Sequence, residues 1–333
     1  MTHPSRESDA LDHDRGPARS APCVTTIIPT IGRESLARVV ATVLEQDLGS
    51  RQELVVVNDS ARSLGEAPWM ADPRVEVVRS DRQERCVARN RGAELAKGRW
   101  LHFLDDDDTL LPGGLIALLE CSRRASPGLV VGATQLTDRE DHPILRLRHD
   151  ADTIGFTQAM AGEWYPLGSS LVRADAFKSV GGFARLPVGA EDCDLTRRLL
   201  LVADAAHTPA PVARVRMGAG PGSTTPWAEH GRRSRRAREA ILDRHQVWPR
   251  LWGSATTPYW RGRIARLYWT SVLWNLGHGR FRHAVVRAAF GSRCLARSRG
   301  DLFDGSYWLA LARAHRSPAF ARGFAEAGRA PTG

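Results

Sequence analysis

The 333-residue chain is 42% hydrophobic and 25% charged, the balance of a globular protein with core enough for one large or two modest domains. No run approaches the roughly 18 consecutive apolar residues of a membrane span, and the polar segment 1–22 lacks the apolar stretch of a secretory signal and reads as a disordered leader. Five scattered cysteines without a CxxC pair argue against a disulfide framework or a zinc site and suit a reducing cytoplasm, while a net charge of +10, mostly arginine, favours anionic partners.

Short apolar runs alternate with amphipathic helical patterns from Val24 onward, the sign of an α/β sheet. Val24 to Ile28 is a β-branched strand ended by Pro29. Leu36, Val39, Val40, Val43 and Leu44 then share one helical face. Leu54 to Val57 and Val75 to Val78 read as strands, and Gln83 to Lys97 as a helix ended by Gly98. Trp100 to Leu104 is an apolar strand that runs straight into four aspartates. Pro112 sits where a first helical turn begins, and Leu115 to Leu119 continue that helix.

Leu129 to Val131 and Ser170 to Val172 are further strand candidates, with Ala174 to Val180 helical before Gly181-Gly182. Glu191-Asp192 opens a helix through Leu201. Around Pro221 to Pro226 the chain turns rich in Gly, Pro, Ser and Thr, which marks a boundary. Residues 221–333 beyond it are Arg- and Trp-rich and helical in pattern. Ile264, Leu267, Tyr268 and Ser271 share one face, Val285, Ala288, Ala289 and Ser292 another, and Gly277-His278-Gly279 between them predicts a helical hairpin.

Four carboxylates in a row repel one another, and no core strand needs them. Alternation along an extended backbone puts Asp105 and Asp107 on one side, where hard oxygens suit Mg²⁺ or Mn²⁺. The plainer reading is an acidic turn that caps the next helix. Asp192 shares a helical face with Leu195 and Leu199, as a general base at a cleft edge would; its plain alternative is a first-turn acid facing the helix dipole. Asn58-Asp59-Ser60 ends the second strand, where open α/β sheets bind ligands, and is equally a turn. Arg85, Arg89 and Asn90 precede the aspartate strand and could meet phosphate oxygens or simply form a solvated basic face.

No one of these motifs decides the matter, but their order does. "TTIIPTIGR", "VLEQD", "ELVVVNDS", "ARNRGAELAKGRWLHFLDDDD", "GSSLVRADAFKSVGGF" and "EDCDLTRRL" follow one another over Cys23 to Leu201. In this the chain resembles the family-2 inverting glycosyltransferases. The resemblance implies a GT-A fold, a mixed, mostly parallel sheet flanked by helices, over 23–220, followed by the helical region. It implies that Pro29 and Thr30 line the base pocket and that Asp59, with Asn58 beside it, meets the base or ribose. Arg89, Asn90, Asp105 and Asp106 fall on the donor side, Asp107 with Asp105 would hold Mn²⁺ or Mg²⁺, and Asp106 with Asp108 is the other candidate pair. Asp192 would be the catalytic base, with Glu191 second, and Gly181, Gly182 and Phe183 would shape the acceptor side. The family's common "DDGS" is "NDSA" here, which loses an acid and a glycine.

The expectation is therefore metal-dependent, inverting transfer from a nucleotide-diphosphate sugar, a UDP-sugar foremost, to a sugar, glycolipid or natural-product hydroxyl in the cytoplasm. A nucleotidyltransferase that makes sugar nucleotides is one alternative, but "TIIPTIGRES" does not resemble its Gly-rich phosphate loop. A basic nucleotide- or nucleic-acid-binding protein is the other. It is disfavoured because the arginines come without zinc spacing or a stacking motif. Trp248, Trp252, Trp260, Trp269 and Trp274 are expected in a helical core rather than on a membrane; peripheral membrane contact, at the inner face, and homo-oligomerisation stay open.

Overall fold

β-Branched runs with every residue buried build the centre of the sheet. The computed structural model describes residues 23–80, 83–123, 127–185, 190–217, 227–244, 247–312 and 317–327. Strand β1 (Val24–Thr30) leads into α1 (Leu36–Leu44), then β2 (Gln52–Asn58), β3 (Val75–Arg79), α2 (Arg85–Leu95) and β4 (Trp100–Phe103). The four strands lie parallel in the order β3-β2-β1-β4, and β1 and β2 are buried throughout, as strands covered on both faces are. Helix α1 buries Leu36, Val39, Val40 and Val43, four of the five positions its periodicity picks out.

Pro29 continues β1 rather than ending it. The carbonyls of Ile27 and Thr30 accept from Leu104 and Asp59 on opposite sides, so the Pro29 nitrogen faces β4, beyond the last paired residue, Ile27 with Phe103. No ladder bond is lost there. Helix α2 is shorter than Gln83 to Lys97, because Glu84 and Ala96 are extended. Its Gly92 lies on the sheet, where an added Cβ would fall 2.4 Å from Ile27.

After β5 (Thr109–Leu110), Pro112 and a left-handed Gly113 come before α3 (Gly114–Ser122), so the proline stands outside the first helical turn. The sheet then becomes mixed: β6 (Leu129–Thr137), β7 (Pro143–Leu147), α4 (Phe156–Ala161), β8 (Ser170–Arg173), α5 (Ala174–Ser179), α6 (Glu191–Val202) and β9 (Ala205–Arg216) follow in turn. β8 joins β4 antiparallel, and the order runs on as β6-β9-β5 with β7 on β6. β9 escapes the sequence patterns because its register on β6 shifts twice, around Ala133 opposite Pro211.

Helices α7 (Trp227–Leu242), α8 (Val247–Gly253), α9 (Pro258–Gly277), α10 (Phe281–Arg297), α11 (Gly305–Ala312) and α12 (Pro318–Ala327) complete the described chain. One apolar cluster runs from Ile27 and Val57 of the sheet through Leu195 and Leu199 of α6 to Trp248, Trp260 and Tyr268. Trp248 and Trp260 are thus core residues, Trp252 packs partly buried against them, and Trp269 is exposed. The α9–α10 hairpin forms at Gly277-His278-Gly279. Its α9 face is the one expected, with Ile264, Leu267, Tyr268 and Ser271 buried. On α10, however, the buried side is Ala284, Arg287, Gly291 and Cys294, and Val285, Ala289 and Ser292 face solvent. Among the described residues there is no disulfide, and no helix is long and apolar enough to cross a membrane. The 1–22 leader and the Pro221–Pro226 boundary lie outside the described residues.

Candidate active site

Parallel pairing brings the carboxyl ends of β1, β2 and β4 to one edge of the sheet, where Thr30, Asn58-Asp59 and the four aspartates stand together. The sheet order makes a contact that spacing cannot show. Thr30 Oγ1 donates to Asp106 Oδ2 at 2.7 Å, Ser35 Oγ to the Asp106 carbonyl at 2.6 Å, and Arg33 reaches both Asp106 and Asp107. Asp106 is therefore turned into the β1 loop and buried. Its neighbours Asp105, Asp107 and Asp108 instead converge, with one carboxylate oxygen from each within 4.8 Å of the others. Asp108 is further held by the Arg216 backbone N–H at 2.9 Å.

Burial raises the proton affinity of this cluster. Asp108 is pushed well above the usual carboxylate range, first by burial and then by the charges of Asp105 and Asp107. Asp106 and Asp107 are raised too, again mainly by burial. Asp105 goes the other way: burial opposes it, but Arg89 and then Arg85 outweigh that and lower it.

Arg89 joins the two acidic segments. Its guanidinium is buried, bonds Asp105 through Nη2, and lies 3.4 Å from Glu191 Oε1 through Nη1, with Arg85 at 3.4 Å from the same oxygen. The other Glu191 oxygen accepts the Ala190 N–H at 3.0 Å, so Glu191 is a buried strut at the start of α6. Asp192 beside it is half-buried and carries two hydrogen bonds, from its neighbour Cys193 N–H and from the Trp164 indole Nε1, both 2.7 Å. Trp164 in turn stacks on Phe320 of α12, with ring centroids 6.2 Å apart.

The remaining candidates have local tasks. Asn90 clamps Phe183, its amide donating to the carbonyl at 2.9 Å and accepting from the N–H at 2.8 Å. Phe183 is buried against Phe103 at 5.0 Å, with Arg89 5.4 Å from its ring centre. The Gly181-Gly182 turn before it has both φ angles positive. Asn58 closes its own turn, accepting from Ser60 and donating to the Arg62 carbonyl. Asp59 is buried, accepts the Glu84 N–H at 3.2 Å, and has its proton affinity raised by burial. Pro29 is buried within β1. Arg33 and Trp164 escaped attention as site residues, and Asp108 was in view only as the partner of Asp106, whereas it converges with Asp105 and Asp107. Arg33 was visible inside "TIIPTIGR", whereas nothing local marks Trp164.

The sequence matches the family model "Glycosyl transferase family 2" over residues 25–177. Putative colanic acid biosynthesis glycosyl transferase WcaA of Escherichia coli (strain K12) is 31% identical over 107 residues, 30% of this chain and 38% of that protein. Succinoglycan biosynthesis protein ExoO of Rhizobium meliloti (strain 1021) is 33% identical over 114 residues, 33% of this chain and 32% of that one. The chain therefore spans about a third of the length of these relatives. Among solved structures, S. aureus TarS 1–349 in complex with UDP-GlcNAc aligns with a TM-score of 0.53 at 12% identity, over 80% of this chain and 91% of that one. That likeness concerns the fold. The segment that builds β1 to α5 thus carries the sequence pattern of glycosyl transferase family 2, and the mixed sheet flanked by helices around it is built on the GT-A plan.

Proposed function

We propose that the protein transfers a sugar from a nucleoside-diphosphate donor, a UDP-sugar foremost, to an acceptor hydroxyl with inversion at the anomeric carbon. The observation that carries this is the meeting of Asp105, Asp107 and Asp108 at the carboxyl edge of the sheet, tied through Arg89 to the Glu191-Asp192 start of α6. The neighbouring fold of TarS in its UDP-GlcNAc complex supports a UDP-sugar as donor. The carboxylate set fits a divalent cation, because one oxygen from each of Asp105, Asp107 and Asp108 meets the others within 4.8 Å, a hard-oxygen donor set in which Asp108 has no guanidinium at ion-pair distance among the described residues. Asp105, Asp107 and Asp108 would hold Mn²⁺ or Mg²⁺, which when bound supplies positive charge for the departing diphosphate.

The chain's own residues do the rest. Thr30 and Arg33 hold the aspartate loop in place from β1, and Asp59 stands at the end of β2 for the base or ribose. Asp192 takes the acceptor proton on a carboxylate oxygen as the acceptor oxygen bonds the anomeric carbon and the bond to the diphosphate breaks. The Trp164 indole holds that carboxylate in place.

Thermal unfolding with UDP, GDP, dTDP and CDP, each with Mn²⁺ or EDTA, tests the proposal. A nucleotide at about 100 times its dissociation constant stabilises by about 2.7 kcal/mol. The expected result is a Mn²⁺-dependent rise with UDP that Asp107→Ala removes. No rise with any nucleotide in either condition would overturn the reading.

A further inference from the structure

The apolar stripe on the outside of α10 meets exposed apolar residues of α9 at the end of their hairpin. Leu273 and Val285 are each 70% exposed and Phe281 is 67% exposed, with Leu276 beside them. Single exposed apolar side chains are ordinary; four within two turns of one hairpin end form a patch. Each pair, Leu273 with Leu276 and Phe281 with Val285, lies on one helical face, so the side chains present together. Trp274 stacks on His278 at 4.1 Å, with the Arg280 guanidinium 5.7 Å from its ring, where the patch gives way to the body of the protein.

The charge around the patch is positive in balance. Arg280, Arg282 and Arg287 stand at this end of the hairpin; of the other arginines between Val247 and Gly300, Arg250 and Arg261 pair with Asp204 and Asp301 and Arg263 is buried. The acid that reaches this end is Asp243 of α7, already paired with Arg280 and Arg287. Arg282, next to Phe281, is exposed on α10, whereas Arg293, about three turns further on, lies with its guanidinium 5.2 Å from the Trp248 ring centre. Beneath, a buried network of Glu239, Ser271, Asn275 and Arg287 pins α7, α9 and α10 together, so the patch sits on a rigid support.

This combination selects among occupants. A second copy of the chain would bring the same net-positive surface against this one, and like charges would oppose the contact. Nucleic acid would satisfy the arginines but offers nothing to exposed Leu, Val and Phe. A bilayer with anionic headgroups satisfies both, with apolar side chains at the acyl boundary and arginines at the phosphates. Since no described helix is apolar enough to cross a membrane, the element lies on the surface rather than spans it.

We propose that the end of the α9–α10 hairpin docks the protein on an anionic lipid surface, with Leu273, Leu276, Phe281 and Val285 entering the interface and Arg282 meeting the headgroups. The test is co-sedimentation of the full chain with phosphatidylcholine vesicles and with vesicles that also contain phosphatidylglycerol. The wild-type protein binds the mixed vesicles, more weakly as salt rises, and leaves neutral vesicles largely unbound. A Leu273→Ser/Phe281→Ser/Val285→Ser variant keeps the wild-type thermal midpoint, since all three side chains are exposed, and binds the mixed vesicles at least about tenfold more weakly. Failure to bind mixed vesicles, equal binding to neutral ones, or a triple variant that binds like wild type would each overturn the proposal. So would a wild-type dimer in solution that the triple variant breaks, because the patch would then be a self-interface.

Discussion

Arg89 is the side chain whose loss reaches furthest. It is buried between Asp105 and Glu191, and its charged form is favoured because the two carboxylates outweigh the cost of burial. Arg89→Met keeps an unbranched stem against Phe183 and removes only the charge and its donors. Removing one partner of a buried ion pair typically costs 3–5 kcal/mol, since the other charge is left behind. Glu191 has only 5% of its side chain exposed, but Asp105 has 43% and is screened by water, so the lower end applies. About 3 kcal/mol in a chain of this length lowers the unfolding midpoint by about 4–5 °C. The assay is thermal unfolding by circular dichroism of wild type, Arg89→Met, Glu191→Gln and the double variant. The double variant should cost less than the sum of the singles, by about 1–2 kcal/mol, because Glu191→Gln removes the charge that Arg89→Met strands. A midpoint drop below about 1 °C, or singles that add within about 0.3 kcal/mol, would refute the strut role.

His102 is fully buried between Thr26 and the Gly168 carbonyl, and burial lowers it from 6.5 to about 4. The neutral ring is then the folded form: its stability is fully present above pH 6.5 and is lost as pH falls toward 4, by up to about 3 kcal/mol. Urea midpoints from pH 7 to 4 should fall less steeply for His102→Gln, and identical slopes would count against this. Trp164→Phe preserves the stack on Phe320 but removes the donor to Asp192. One hydrogen bond to a charged group predicts a kcat about tenfold or more lower at unchanged donor KM, against about 10²–10⁴-fold for Asp192→Asn; a rise in KM alone would assign Trp164 to binding. Gly182→Ala adds a Cβ 2.6 Å from Asn90 Oδ1 at φ +65°, whereas Gly181→Ala at φ +78° meets nothing within 4 Å. The first should destabilise by about 1–3 kcal/mol more than the second, and equal midpoints would show that Asn90 is not holding Phe183 in place.

Much of the parallel half of the fold could be read along the chain, because its determinants are local. The burial of β1 and β2 follows from unbroken β-branched runs, and the inner face of α1 from Leu36, Val39, Val40 and Val43. Asp105 and Asp107 do converge as expected, but through a turn closed by the Asp108 N–H on the Asp105 carbonyl, which brings Asp108 in with them, and not through strand alternation. The antiparallel half was less legible. β9 carries Pro209 and Pro211 and holds its place only through β6, so no periodicity announces it. Helix α10 shows the same limit in reverse: its apolar stripe is genuine, but what α9 and α7 accept is Ala284, Arg287 and Cys294, and the stripe is left outside.

The site divides the same way. Residue types and their order along the chain determined that an acidic strand end and an acidic helix start would face a common edge. Which acid does what was decided by partners far off in sequence: Thr30 and Arg33 turn Asp106 away from its neighbours, Arg89 ties Asp105 to Glu191, and Trp164 takes hold of Asp192. These contacts exist because strand order places β1 beside β4 and packs α6 against the helices that follow it. A sequence shows a carboxylate and its near neighbours along the backbone; the guanidinium, hydroxyl or indole that sets its charge and aim comes only with the folded sheet.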